Sequence, residues 1–147
     1  MDNNQSTPQW LSNFITIYQS LNTENVNDIC KIYHTNVVFE DPIHKVEGLE
    51  DLLSYFHNLY QNLSFCKFTV DNYFCNDDKA AIYWTMLFKH EKLNGGDYVE
   101  VIGHTQLKGH DDKVLYHRDY LDVGAMLYEH VPVLGCAIRF IKKRASQ

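Results

Sequence analysis

Val114-Leu-Tyr-His-Arg-Asp-Tyr-Leu-Asp122 alternates with a period of two. Read as a strand, it puts Leu115, His117, Asp119 and Leu121 on one side, continued by Val123, and Arg118, Tyr120 and Asp122 on the other. An imidazole and a carboxylate on an apolar face need hydrogen-bond partners or a shifted pKa, and both conditions are common where a pocket does chemistry. An Arg118–Asp122 pair on the far side reads as structural. The preceding run has the same period. Positions 99, 101, 103, 105 and 107 read Val, Val, Gly, Thr, Leu, whereas 98 to 106 in steps of two read Tyr, Glu, Ile, His, Gln. The first set is expected to face inward, so Gly103 points into the interior and leaves room for a ligand, while His104 lies outside.

Working outward, four strand-like runs occupy roughly 65–75, 80–92, 98–108 and 113–123. Between them stand Asn76-Asp77-Asp78, Leu93-Asn-Gly-Gly96 and Gly109-His-Asp-Asp112, turns short enough to demand an antiparallel meander. The first half is helical in period. Trp10, Leu11, Phe14, Ile15, Tyr18 and Leu21 repeat at helical spacing, with Thr7 placed to cap and Pro8 to take the first helical position. Val26, Ile29, Cys30 and Tyr33 form the face of a short second helix. A strand, 36–42, carries Val37, Phe39 and Asp41 on one face and is closed by Pro42. Gly48 opens a third helix with Leu49, Leu52, Leu53, Phe56, Leu59, Tyr60 and Leu63 as its stripe. A last helix after Gly124 has Val133, Leu134, Ala137, Ile138 and Ile141 on one face and Lys142-Lys-Arg144 in its final turn. Such a tail could bind an acidic membrane surface, but with an apolar stripe only about three turns long it is expected to pack on its own domain or on a second subunit, and no membrane partner is expected. Helices followed by consecutive strands give an α+β domain with helices on one face of a curved sheet.

The 147 residues fit one domain, 1–147, with residues 1–8 expected to be a flexible N-terminal segment. A chain of this length buries roughly 68–70% of its unfolded surface and needs no metal or disulfide staple. Aromatics at 14%, with ten tyrosines, suit a packed core or an aromatic-lined pocket. A net charge of −6 lacks the electrostatic footprint for nucleic acid. The N-terminus does not read as a secretory signal, and no run approaches the ~18 apolar residues of a membrane span. Cys30, Cys66, Cys75 and Cys136 are scattered in apolar periodicity as small buried hydrophobes, which points to a reduced, cytoplasmic setting. No helix carries a paired-histidine ligand motif and no glycine loop fits a nucleotide, so neither metal nor cofactor is expected.

The element order, Phe39-Glu-Asp-Pro42 followed by Gly48 and the third helix, and Asp112-Lys-Val-Leu-Tyr-His-Arg-Asp-Tyr-Leu-Asp-Val123 resemble the nuclear transport factor 2-like superfamily over residues 9–144. That group includes ketosteroid isomerase, limonene epoxide hydrolase, scytalone dehydratase and the SnoaL-like polyketide cyclases. The resemblance implies a cone-shaped, mostly antiparallel sheet whose concave face is closed by the N-terminal helices, a small hydrophobic ligand inside, and a homodimer. It puts Asp41 at the position of the isomerase's proton-transferring base. Gly103 stands where that enzyme has a protonated acid, and Ile17, or Tyr18 after a one-residue shift, where it has a tyrosine. Asp119 matches the acid–base carboxylate of the epoxide hydrolase, but Trp84 and Met86 replace its flanking arginine and aspartate, and His117 replaces a tryptophan.

The candidate catalytic residues are therefore Asp41, Asp119 and His117. The candidate ligand-binding residues are Tyr18, Phe39, Phe56, Trp84, Met86 and Gly103. Because residues i and i+2 start ~7 Å apart, His117 and Asp119 are expected to share a bridging water or ligand oxygen. Three functions fit: an acid–base enzyme of the isomerase, cyclase or dehydratase kind acting on an apolar carbonyl or hydroxyl compound; a non-catalytic binder of an apolar metabolite; or a dimeric interaction module whose cavity is filled by Trp84, Met86 and Phe88.

Overall fold

The computed structural model describes residues 6–147; the N-terminal segment expected to be flexible falls, for residues 1–5, outside the described residues. Helix α1 (Gln9–Ser20) is followed by a 3-10 turn (Val26–Lys31), β1 (Tyr33–Glu40), a short β2 (Lys45–Glu47) and α2 (Leu49–Tyr60). Then come β3 (Leu63–Asn76), β4 (Lys79–His90), β5 (Tyr98–His110) and β6 (Lys113–Leu121), and finally α3 (Val123–Met126), a 3-10 turn (Tyr128–His130) and α4 (Leu134–Ala145). The six strands form one open, curved sheet in the order β2-β1-β6-β5-β4-β3, antiparallel except where β1 runs parallel to β6. This is the α+β architecture that the change of period implied.

Turn chemistry sets the register. Asp111 and Asp112 both take positive φ, 51° and 58°, in the two-residue link from β5 to β6, the mirror-image turn that matches strand twist, in a residue type that tolerates it. Gly48 has φ 88° and donates its N–H to the Val37 carbonyl at 2.8 Å, turning the chain from β2 into α2. The core lies between the sheet and the helices: Leu11, Phe14, Ile29, Tyr33, Val37, Leu52 and Val114 are fully buried.

Several local expectations need correction. Pro8 is the N-cap of α1, with its carbonyl accepting from Leu11 and Ser12, while Thr7 Oγ1 instead bonds Tyr73 Oη. Tyr33 belongs to β1 and not to a helix. A register shift between Lys108 and Gly109 puts Val114, and not Leu115, fully in the core. Cys30 and Cys136 are exposed. Arg118 pairs across strands with Glu40, and Asp122 caps α3 through Ala125 N, so no Arg118–Asp122 pair forms. Most of the expected core stripe of α4 faces away from the protein.

Candidate active site

A cavity of about 340 Å³ opens between the concave side of the sheet, α2 and the α3 segment. Its wall is mostly apolar, built from Phe39, Phe56, Phe68, Trp84, Met86, Leu121 and Leu127, with Tyr18, Tyr55, Tyr60, Asp41 and Asp119 among its polar members. It is open space, which excludes the fully filled interior that Trp84, Met86 and Phe88 were expected to allow.

Strand register assembles a buried hydrogen-bond chain behind this wall. Asp119 on β6 stands opposite Thr105 on β5, and Thr105 Oγ1 donates to Asp119 Oδ1 at 2.5 Å. Trp84 on β4 stands opposite Gly103, and its Nε1–H donates to Thr105 Oγ1 at 2.8 Å. His117 Nε2 reaches Asp119 Oδ1 directly at 2.7 Å, so no bridging water or ligand oxygen separates them. The other ring nitrogen, Nδ1, meets Tyr33 Oη at 2.7 Å, and Tyr33 Oη meets Tyr18 Oη at 2.5 Å.

Donor and acceptor inventory orders the protons along this chain. An indole N–H only donates, so Thr105 accepts from Trp84 and gives its own proton to the Asp119 carboxylate. An imidazole carrying its proton on Nε2 would donate to Asp119 and leave Nδ1 to accept from Tyr33, whose oxygen would then accept from Tyr18. Burial is the main cause that holds the Tyr18 and Tyr33 hydroxyls protonated well above the ordinary tyrosine range, with the Asp119 charge adding to it. Both donors to Asp119 go to Oδ1, and no described residue donates to Oδ2. Asp119 is on the cavity wall with its side chain 18% exposed; His117, at 1%, is behind it and off the wall.

Asp41 lies near the other end. Its Oδ1 accepts from the backbone N–H groups of Ile43 and His44, both at 2.7 Å, and its Oδ2 accepts from Tyr55 Oη. Both oxygens are thus taken by the turn into β2 and by α2. Burial first, then the bond to Asp41, raises the Tyr55 pKa far above the ordinary value.

Of the expected ligand-binding residues, Tyr18, Phe39, Phe56, Trp84 and Met86 are on the cavity wall. Gly103 is not: the Trp84 indole fills the space its missing side chain leaves, and a Cβ there would lie 2.5 Å from the ring. The glycine makes room for a tryptophan, not for ligand.

Sequence reasoning also passed over Tyr60. It was assigned to the core stripe of α2, but a hydroxyl on an apolar stripe is itself a signal. Tyr60 is buried on the cavity wall, and the only bond to its Oη among the described residues comes from the Cys66 thiol at 3.7 Å. No bond from the Tyr60 hydroxyl to an oxygen or nitrogen acceptor is found among the described residues. Burial raises the Tyr60 pKa well above the usual range and pushes the Cys66 thiol up to about 11, so both stay protonated.

The fold and this pocket define a class, that of the curved-sheet proteins that enclose a small apolar cavity. Within it the SnoaL-like domain family matches residues 15–117, and the chain belongs to that family. Solved structures agree on the fold. A protein from Jannaschia sp. CCS1 described as a SnoaL-like polyketide cyclase superposes with a TM-score of 0.74 at 13% identity, covering 90% of this chain and 98% of that one. A protein of ketosteroid isomerase-like fold from Catenulispora acidiphila, solved with trimethylamine, gives 0.73 at 13% identity over 86% and 96%. An LEH-like epoxide hydrolase from M. tuberculosis gives 0.65 at 13% identity over 81% and 84%. No curated protein sequence matches the chain.

Among the described residues no three His, Cys, Asp or Glu side chains gather as a metal site, and no helix is long and apolar enough to cross a membrane.

Proposed function

We infer that the chain is an acid–base enzyme of the isomerase, cyclase or dehydratase kind, acting on a small apolar carbonyl or hydroxyl compound, with Asp119 as the group that moves the proton. One observation carries this reading: a buried chain of donors holds Asp119 through a single oxygen, and Asp119 lines an apolar cavity. A carboxylate held in this way is oriented without being consumed, as a general base must be. Asp119 Oδ2 would take a proton from the carbon next to a substrate carbonyl, and the C–H electron pair would pass into the enolate. Tyr60 Oη–H is the candidate donor to the developing oxyanion, a role worth ~3–4 kcal/mol of transition-state stabilisation. Return of the proton to a second carbon, or to a leaving hydroxyl, completes isomerisation or dehydration.

In this reading His117 and Asp41, both candidate catalytic residues by sequence, take supporting roles. His117 positions Asp119 from behind, and Asp41 holds Tyr55 and the β1–β2 turn.

The test needs no known substrate. Apolar ketones are incubated with the protein in heavy water, and exchange of hydrogens next to the carbonyl is followed by NMR. Wild-type protein is expected to catalyse exchange in at least one compound; Asp119→Asn should lose about 10²–10⁴-fold in rate while binding the same compound within a few-fold. Exchange undiminished in Asp119→Asn would remove Asp119 from the chemistry. Compounds that bind but never exchange or turn over would favour the alternative of a non-catalytic binder for an apolar metabolite, which the mostly apolar wall also suits.

A further inference from the structure

Helix α4 presents its two sides in the reverse of the usual order. At 100° per residue, Leu134, Ala137, Phe140 and Ile141 fall on one side, with Arg144 at its C-terminal end, and Gly135, Arg139 and Lys142 on the other. The second, largely polar side grips the protein. Gly135 is buried against the Glu129 backbone, where a Cβ would lie 2.3 Å from the carbonyl oxygen. Arg139 Nη1 donates to that same carbonyl oxygen at 2.8 Å, and Lys142 Nζ reaches Asp122 and Glu129, both at 3.2 Å. The apolar side points out: Ile141 is 62% exposed and Phe140 60%. A contiguous apolar patch flanked by charge marks an interaction surface.

The backbone fixes this attitude. Val133 has φ 68° and ψ −55°, and Leu134 N–H donates to Pro132 O at 2.8 Å, a three-residue turn of positive φ that a β-branched residue adopts only under strain. Such a residue persists where its surroundings over-determine it. Here the lysine and arginine clamps on the polar side do so.

Charge says what covers the exposed side. Residues 131–147 hold four basic residues and no acidic one; the remaining nine basic and nineteen acidic residues precede them, a balance of −10. We propose that α4 lies in the surface of an anionic lipid bilayer, with Phe140, Ile141 and Leu134 among the acyl chains and Lys143 and Arg144 against headgroup phosphates. An interfacial helix needs this pairing of an apolar side with flanking cations. A second copy of the chain fits less well, because residues 131–147 offer no acidic side chain to pair with Lys143 and Arg144 of a neighbouring α4. The acidic body is held off by the same headgroups, but only within a Debye length of roughly 8–10 Å, so α4 alone makes contact. Met126 and Leu127 border the cavity and lead through the 3-10 turn into α4, so docking would hold the pocket close to the lipid phase. The proposal does not depend on the chemistry inside the pocket.

Flotation of the full chain with vesicles of mixed phosphatidylcholine and phosphatidylglycerol, and with phosphatidylcholine alone, tests it. Binding is expected to the mixed vesicles, weaker as salt rises, and slight to phosphatidylcholine. Lys143→Glu with Arg144→Glu should lower partition by at least about 25-fold, near fivefold for each cation removed. Phe140→Ser with Ile141→Ser should lower it to a similar extent. Both pairs are exposed, so circular dichroism and the thermal midpoint should stay as in the wild type. Absence of wild-type binding, or indifference of binding to both pairs of substitutions, overturns the proposal. So does a wild-type chain that ignores vesicles but is a dimer by light scattering and becomes a monomer on Phe140→Ser with Ile141→Ser, which would assign α4 to a subunit contact.

Discussion

Two aspartates border one cavity, and their oxygens are committed differently. Asp41 accepts two backbone N–H groups on Oδ1 and the Tyr55 hydroxyl on Oδ2, so both of its oxygens serve the turn and α2. Asp119 takes Thr105 and His117 on Oδ1 alone. The two side chains are about equally shielded, 15% and 18% exposed. Burial therefore does not distinguish the two carboxylates; the count of donors on each oxygen does, and the proposed division of roles rests on it. The donors also differ in kind. Local backbone amides hold Asp41, whereas Asp119 depends on side chains from β4, β5 and β6, and through His117 on α1 and β1.

That difference can be broken from the interior side by raising the pH. Tyr18, Tyr33 and Tyr60 all have folded-state pKa values raised above the unfolded value, chiefly by burial. The Tyr18–Tyr33 bond pushes its two members in opposite directions, but burial dominates in both. A raised pKa contributes stability that is complete below the unfolded value near ~10 and is lost as the pH climbs above it. With three such groups the unfolding free energy should fall by about 4 kcal/mol per pH unit just above pH ~10, a large share of a typical ~5–15 kcal/mol. Denaturant titrations between neutral and alkaline pH would show it. A flat profile there would mean that the tyrosine chain is open to water and does not brace Asp119.

Cutting the chain at its middle should have the next largest effect. His117→Ala leaves Tyr33 Oη without its acceptor and Asp119 with one donor, both in a buried setting, at a cost of about 2–4 kcal/mol. If His117 only positions Asp119, the proton exchange proposed above should drop mainly in kcat with KM little changed, and His117→Gln, which retains a donor, should restore part of it. Equal loss in both variants, with a rise in KM alone, would put His117 in ligand binding instead.

How much of this could be read in the sequence follows from the range of each signal. Period two is local, and it placed Val99, Val101, Thr105 and Leu107 on the buried side of β5, where they are found. It misplaced Leu115 because the register shift beside Gly109 is a two-strand event that β6 alone does not encode. Tyr33 continued a helical spacing from Val26 and Ile29, since a 3-10 turn and the start of a strand can share apolar positions over so short a run. Gly103 faced inward as expected, yet the space went to Trp84, a partner set by β4–β5 register and not by either segment's pattern. His117 and Asp119 were both identified, but their direct bond was not, because Cβ spacing ignores how far an imidazole and a carboxylate can lean toward each other. For α4 the apolar stripe was legible; its outward attitude depends on Gly135 and the clamps to Asp122 and Glu129, contacts between distant positions.

The smallest expected effect tests the other side of the comparison. Asp41→Asn keeps an acceptor oxygen for the Ile43 and His44 amides but puts an amide NH₂ or a neutral oxygen against Tyr55 Oη, which donates to a carboxylate in the native protein. Loss of one charge-assisted bond at a part-exposed site should cost about 1–2 kcal/mol. The proton exchange rate should fall by less than about tenfold, well short of the loss expected at Asp119. Asp41→Ala should be worse for stability than Asp41→Asn, because it also strips the turn of its side-chain acceptor, as removal of a helix cap does. Thermal midpoints and exchange rates measured on the same two proteins separate the outcomes. If Asp41→Asn abolished exchange while leaving the midpoint unchanged, the counting of donors would have chosen the wrong carboxylate, and Tyr55–Asp41 would become the pair that moves the proton.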